Sequence, residues 1–172
     1  MAKMIRIMGV DPGSVITGYG VIETDGIRSV HIAHGHLKVK GENLPEKLGM
    51  IFTGISQIIQ EWQPQEFAIE DVFFSKNAQS ALKLGQARGA AICAAVTKNL
   101  SVSEYSPRSV KQAISGTGAA KKNQVQHMVG IILNLSQTLQ EDAADGLAIS
   151  ICHGHSRTAT QWRNTSLKGK TA

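Results

Sequence analysis

Three extended, mostly apolar stretches open the chain, and the connections between them are too short to carry a crossover. Met4–Val10 is apolar apart from Arg6 and is stopped by Asp11-Pro12-Gly13. Thr17–Thr24 follows, and Asp25-Gly26, a strong hairpin signal, leads into a third stretch from about Arg28 to Val39. Parallel neighbours need a dozen or more linking residues, so these three pair antiparallel and the sheet begins as a meander. Asp11 is delivered where the first strand ends. It either accepts turn hydrogen bonds ahead of Pro-Gly or offers a rigidly held carboxylate to solvent. Gly18 and Gly20, on either side of Tyr19, mark a bulge or a close approach of another backbone.

The pattern then changes period. Leu44 to Trp62 carries apolar residues at threes and fours, which specifies an amphipathic helix ended by Pro64. Glu66–Val72 is a short strand interrupted at its end by Glu70 and Asp71. A helix between two strands implies a right-handed crossover and parallel pairing. Asn77 can cap a helix running to about Asn99, with Ala81, Gly85 and Gly89 along one side for internal packing or a subunit interface. Ser101–Tyr105 is a fifth strand, and a short helix after Pro107 contains Arg108 and Lys111. The loop Ser115–Ala119 lacks Walker A spacing. A helix with Val125, Met128, Val129, Ile132 and Leu133 on one face follows, then a last one from about Gln140 to His153. The fold class is therefore α/β: a five-stranded mixed sheet, three antiparallel strands then two parallel ones, with helices on both faces. Residues 1–156 form one domain, and 157–172 are expected to be a basic, disordered tail.

No apolar run approaches the roughly 18 residues of a membrane span, and Asp11-Pro12 cuts short the only N-terminal apolar stretch, so neither a span nor a signal peptide is expected. Cys93 and Cys152 have no C-x-x-C spacing, which suits buried thiols in a cytoplasmic protein. The net charge of +5 hides an asymmetry: up to Asp71 there are nine acidic and six basic residues, and beyond it four acidic and twelve basic. Three of those four late acids crowd into Glu141–Asp145, in a segment otherwise suited to an anionic partner.

Carboxylates thus stand at the ends of elements in three separated places: Asp11, Glu70, and Asp142 with Asp145. Asp142 and Asp145 share a helix face, where they repel unless a cation lies between them. A helix N-terminus favouring acids by about 0.3–1 kcal/mol each would account for that pair alone. It would account neither for Glu70 in an apolar strand nor for the basic surroundings. Hard divalent cations take such oxygen ligands, and metal-dependent phosphodiester cleavage needs acids for metals set among lysines and arginines for the backbone. Other groups carry less. His31 points away from His34 and His36 on a regular strand, so these read as exposed strand histidines. His127 lies by a basic helix, where it either contacts DNA, assists a proton transfer or is structural. His153 and His155 sit at a fraying helix end.

The segments GVDPGSVITGYG, FAIEDVFFSKNAQSALKLGQARG, VKQAISGTGAAKKNQVQHMV and DAADGLAI, in that order over residues 5 to 153, closely resemble the RuvC-type Holliday junction resolvases of the ribonuclease H-like superfamily. The resemblance implies a homodimer that grips four-way junction DNA and nicks two strands of like polarity symmetrically, in cooperation with RuvA and RuvB. It implies Mg2+, two ions per site with Mn2+ able to substitute. Asp11, Glu70, Asp142 and Asp145 match the four metal-binding acids, and Lys111 and Lys122 match basic residues near the scissile phosphate. Phe73, with Phe74 as its neighbour, matches an aromatic that stacks on an unpaired base, while Lys76, Arg88, Arg108 and Lys121 are the expected DNA contacts. Asp71 departs from the pattern and reads as a salt-bridge partner or as a group supporting the ligands from outside, rather than as a fifth ligand. The competing readings are an actin-like or sugar-kinase ATPase, which would need a second domain, a non-catalytic junction-binding module, and a related nuclease acting on RNA or other branched DNA.

Overall fold

Asp25-Gly26 closes its hairpin by local chemistry. The Asp25 carboxylate accepts from the backbone N–H groups of Ile27 and Arg28 at 2.9 and 2.8 Å, and Gly26 takes a φ of 93° that favours glycine. The Asp-Pro-Gly-Ser turn is fixed similarly, with the Thr17 hydroxyl accepting from Gly13 N–H at 3.2 Å and donating to Gly13 O at 3.1 Å. The computed structural model describes residues 3–71 and 77–168, with backbone alone beyond Arg157. Its elements are β1 (Ile5–Asp11), β2 (Ile16–Thr24), β3 (Ser29–Lys38), α1 (Leu44–Trp62), β4 (Glu66–Glu70), α2 (Ala78–Val96), β5 (Ser101–Tyr105), α3 (Pro107–Ser115), α4 (Lys122–Ile132) and α5 (Glu141–Lys168). The sheet runs β3-β2-β1-β4-β5, antiparallel through β1 and parallel from β1 to β5. Arg6, the charged member of β1, pairs in register with Glu23 and donates to its carboxylate and to the Trp62 carbonyl.

Alternation along the central strands divides the core. Ile5, Ile7, Ile22 and Ala68 pack against α3, α4 and α5, while Met8, Val10, Val21, Phe67 and Ile69 pack against α1 and α2. Full burial of each such side chain contributes about 1.5–3 kcal/mol. α1 is capped by Asn43, whose side chain accepts from Glu46 N–H, and α2 by Asn77, which accepts from Gln79 and Ser80 N–H groups.

Two expectations change. In the β2–β3 ladder Val21 pairs with Ala33 but Ile22 with His31, so Ile32 is the extra residue of a bulge. The bulge turns His31 toward His34, and their rings meet with Nε2 and Nδ1 2.7 Å apart. In addition, α5 does not end near His153 but continues to Lys168, taking in the start of the basic tail. No proline interrupts Glu141–Lys168, and Gly154 alone costs a helix about 1 kcal/mol relative to alanine. His153 is consequently buried rather than at a frayed end.

α5 crosses β1 and β2 at glycines. A Cβ on Gly20 would stand 2.4 Å from the Leu147 backbone N, one on Gly18 1.9 Å from Asp142 O, and one on Gly9 2.3 Å from Gly146 O. Both partners at each crossing are main chain held by hydrogen bonds, so neither can yield locally. Gly20→Ala is therefore expected to destabilise the protein by about 3 kcal/mol in urea unfolding, whereas Gly49→Ala in α1, with nothing within 4 Å of its new methyl, is expected to stabilise it by about 0.5–1 kcal/mol. Equal midpoints for the two variants would refute the close-approach reading.

Candidate active site

The strand period places two acids on one face. In β1, Ile5, Ile7, Gly9 and Asp11 alternate toward α5; in β4, Ala68 packs with the α5 cluster, so Glu70 two residues on faces the same way. Asp11 pairs across the ladder with Gly18, and the absence of a side chain at Gly18 lets the first turn of α5 settle beside it. There α5 begins at Glu141, with Asp142 in its first turn and Asp145 a turn later.

A cleft of about 210 Å³ lies where these elements meet. Asp11, Glu70, Lys111, Lys122 and Asp145 line it, between apolar walls from Pro107, Val110, Val125 and Ala148. α3 supplies Lys111 and α4 supplies Lys122; the start of α3 is set by Ser106, whose hydroxyl accepts from Ser109 N–H at 3.1 Å. Lys122 Nζ stands 2.5 Å from Glu141 Oε1 and 2.9 Å from Asp145 Oδ2. Asp142 does not line the cleft, but its charge acts on Asp11 and on Asp145.

The electrostatics are those of acids confined together. Burial, and then the charges of Asp145 and Asp142, push the Asp11 carboxyl up to about 7, with Lys122 only partly offsetting them. Burial, with Asp11 and Asp145 beside it, pushes Glu70 up to about 7 as well, against Lys122 and Lys111. Asp145 is raised by burial although the Lys122 ammonium holds it down. For Lys122, burial pulls down, but hydrogen bonds to Glu141 and Asp145 outweigh it and raise the ammonium. Among the described residues, no three His, Cys, Asp or Glu side chains stand together closely enough to hold an ion as they are. Asp145 and Glu141 both pair with the Lys122 ammonium.

The donor set nonetheless suits a hard divalent ion: all-oxygen, confined, and more negative than one lysine can neutralise. Of the other expected residues, Arg108 and Lys121 are exposed beside the cleft-bearing helices, and the stem of Arg108 lies over Gly118. Phe73, Phe74 and Lys76 fall outside the described residues. Arg88 has its guanidinium on protein partners: Nε–H donates to the Glu70 carbonyl at 3.0 Å, and the terminal nitrogen pairs with Glu104 and lies 3.6 Å from Asp71. Asp71 is thus the salt-bridge partner expected of it. His127 is exposed and lines a separate hollow with Asn123 and Gln126. The role of Glu141 in holding Lys122 was hidden in the sequence by its neighbours Asp142 and Asp145, which carry the same charge.

Comparison with known proteins places these residues in context. The family model described as crossover junction endodeoxyribonuclease RuvC matches residues 7–153. The RuvC of Psychromonas ingrahamii is 60% identical over 152 residues, 88% of each chain, and that of Shewanella oneidensis 57% identical over the same share. The structure of Thermus thermophilus RuvC in complex with a Holliday junction substrate superposes with a TM-score of 0.84 at 31% identity, covering 89% of this chain and 94% of that one. A yeast mitochondrial Holliday junction resolvase, Ydc2, shares the fold at a TM-score of 0.66 and 9% identity, covering 94% of this chain and 85% of that one. The five-stranded sheet is that of the ribonuclease H-like fold. With the family model spanning nearly all of the sheet, the cleft and the first half of α5, and with relatives this similar over most of both chains, the chain belongs to the RuvC family of crossover junction endodeoxyribonucleases.

Proposed function

We propose that the protein resolves Holliday junctions as a homodimer, nicking two strands of like polarity with Mg2+ held by Asp11, Glu70, Asp142 and Asp145. The observation that carries this reading is the cleft itself, in which three of those acids and both expected lysines converge from five separate elements. When bound, the ions would activate the attacking water and stabilise the leaving oxygen of an in-line displacement. The protein's own groups divide the remaining work. Lys111 and Lys122 offset negative charge developing on the scissile phosphate, and the pull of Glu141 keeps Lys122 at the cleft when Asp145 turns to a metal. Arg108, Lys121 and Lys76 neutralise backbone phosphates, and Phe73 or Phe74 stacks on an unpaired base near the crossover. Residues 1–156 supply this activity, and the branch-migration proteins RuvA and RuvB deliver the junction. No helix among the described residues is long and apolar enough to cross a membrane, which accords with a cytoplasmic enzyme.

The decisive assay compares a synthetic four-way junction with matched linear duplex, in Mg2+ or EDTA. Paired symmetrical nicks on the junction alone are expected, abolished by EDTA and reduced at least 1000-fold by Asp11→Asn, about the 4 kcal/mol that losing a central charge-stabilising group costs. Metal-independent cutting, or equal cutting of duplex, would refute the reading.

The raised acids also predict a pH dependence of stability. A carboxyl whose folded pKa lies near 7, above its ordinary value of 3.8, favours the folded state while protonated and loses that contribution as pH rises through 7. In EDTA, Asp11→Asn is therefore expected to match wild type near pH 4 and to exceed its Tm by about 5 °C at pH 8, from about 2 kcal/mol of relieved desolvation and repulsion. A Tm difference that does not change between these pH values would contradict the electrostatic account.

A further inference from the structure

Arg88 is expected from its charge to face DNA, yet among the described residues the partners of its guanidinium belong to the strand ends around Glu70. It reaches them from α2, on the face of the sheet opposite α5. Nε–H donates to the carbonyl of Glu70, the last residue of β4, at 3.0 Å. The terminal nitrogen pairs with Glu104, which lies beside Ile69 in the β4–β5 register, and stands 3.6 Å from Asp71, the residue after Glu70. The Asp71 N–H is in turn held by the Tyr105 carbonyl at 2.8 Å, so the peptide that follows Glu70 is tied down at both its carbonyl and its N–H. Only 16% of the Arg88 side chain is exposed.

Charge argues against a phosphate ligand here. One guanidinium faces two carboxylates, so an approaching phosphate meets net negative charge and competes with the bonds that Nε and one terminal nitrogen already make. Leverage argues for a different role. A turn of about 20° at the Glu70 Cα would carry its carboxylate by about 1 Å, and misplacements of that size cost on the order of 100-fold in rate. Holding the Glu70 carbonyl fixes that angle from behind, while the carboxylate projects into the cleft on the other face.

We infer that Arg88 is a positioning residue for Glu70, clamping the end of β4 from the reverse face of the sheet, and is not a DNA contact. This rests on the reading of Glu70 as a metal-binding acid of a junction nuclease. Arg88→Lys separates the possibilities, because lysine keeps the charge a phosphate needs but loses the fork that spans Glu70 O and Glu104. Three quantities would be measured on wild type, Arg88→Lys and Arg88→Met: junction cleavage rate at saturating DNA across Mg2+, the Mg2+ midpoint of the Tm rise without DNA, and junction Kd in EDTA across a salt series.

For Arg88→Lys the clamp predicts a 10- to 100-fold lower rate and a Mg2+ midpoint raised by a similar factor in both titrations, with Kd and its salt slope unchanged. Arg88→Met should show the same pattern. A wild-type Mg2+ midpoint and rate in Arg88→Lys would overturn the inference, whatever the fate of Arg88→Met. So would weakened binding by Arg88→Met with a salt slope smaller by about 1, the mark of a lost phosphate contact. Failure of wild type to cut the junction would instead refute the resolvase reading, and the Tm titration would still report on the clamp.

Discussion

The site depends on how closely α5 lies on β1 and β2. Helices and sheets ordinarily keep apart by the thickness of their side chains, but at Gly9, Gly18, Gly20 and Gly146 that layer is missing and main chain meets main chain. Each glycine costs about 0.5–1 kcal/mol of stability relative to alanine in a regular element. What is gained is position. The first turn of α5 comes in beside the end of β1, and acids far apart in sequence, Asp11 and Asp145, come to line one cleft. The larger neighbours Leu147 and Ile151 then pack into the cluster with Ile7 and Ile22, offsetting the cost.

Bringing acids together by backbone packing stores repulsion that must be countered from elsewhere. Lys122 does part of this, bridging Glu141 and Asp145 from the first residue of α4. A lysine suits that task better than an arginine because it is a compact charge on a flexible stem, able to shift without giving up a fixed fork geometry. Lys122 and Lys111 do not cancel the effect of confinement: burial first, and then the neighbouring carboxylates, push Asp11 and Glu70 up to about 7. The same crowding of oxygen donors is what a hard divalent cation requires.

Much of this was legible in the sequence because it is local. The meander follows from connection lengths, α1 from its spacing of threes and fours, and the acids on one face from strand period. The glycine pair around Tyr19 signalled a close approach, though not the element that makes it. What was not legible depends on partners distant along the chain. Arg88 looked like a free charge because Glu104 and the Glu70 carbonyl are 16 and 18 residues away. His31 was misjudged because one bulged residue, Ile32, reverses the strand alternation and no sequence signal marks it. His153 reads in the sequence as a helix end because its partner Glu66 is 87 residues distant.

That last network explains how α5 keeps its rotation. Buried, with its pKa lowered by desolvation despite Glu66, His153 is neutral near pH 7. Its Nε2–H then donates to Glu66 at 2.7 Å while Nδ1 accepts from the Tyr105 hydroxyl at 2.8 Å, a tautomer assigned from the partners. Arg157 Nε–H donates to the other Glu66 oxygen at 2.8 Å. Glu66 and Glu70 lie on one face of β4, at its two ends. The first ties α5 to the sheet about two and three turns beyond Gly146, through His153 and Arg157, and the second faces the cleft that α5 helps to build. Glycine crossings near the start of α5 set its height over the sheet, but a contact without side chains resists rotation weakly. The hydrogen bonds to Glu66, far along the helix axis, resist it strongly, so the direction in which Asp142 and Asp145 point is fixed from the opposite end of the same strand that carries Glu70.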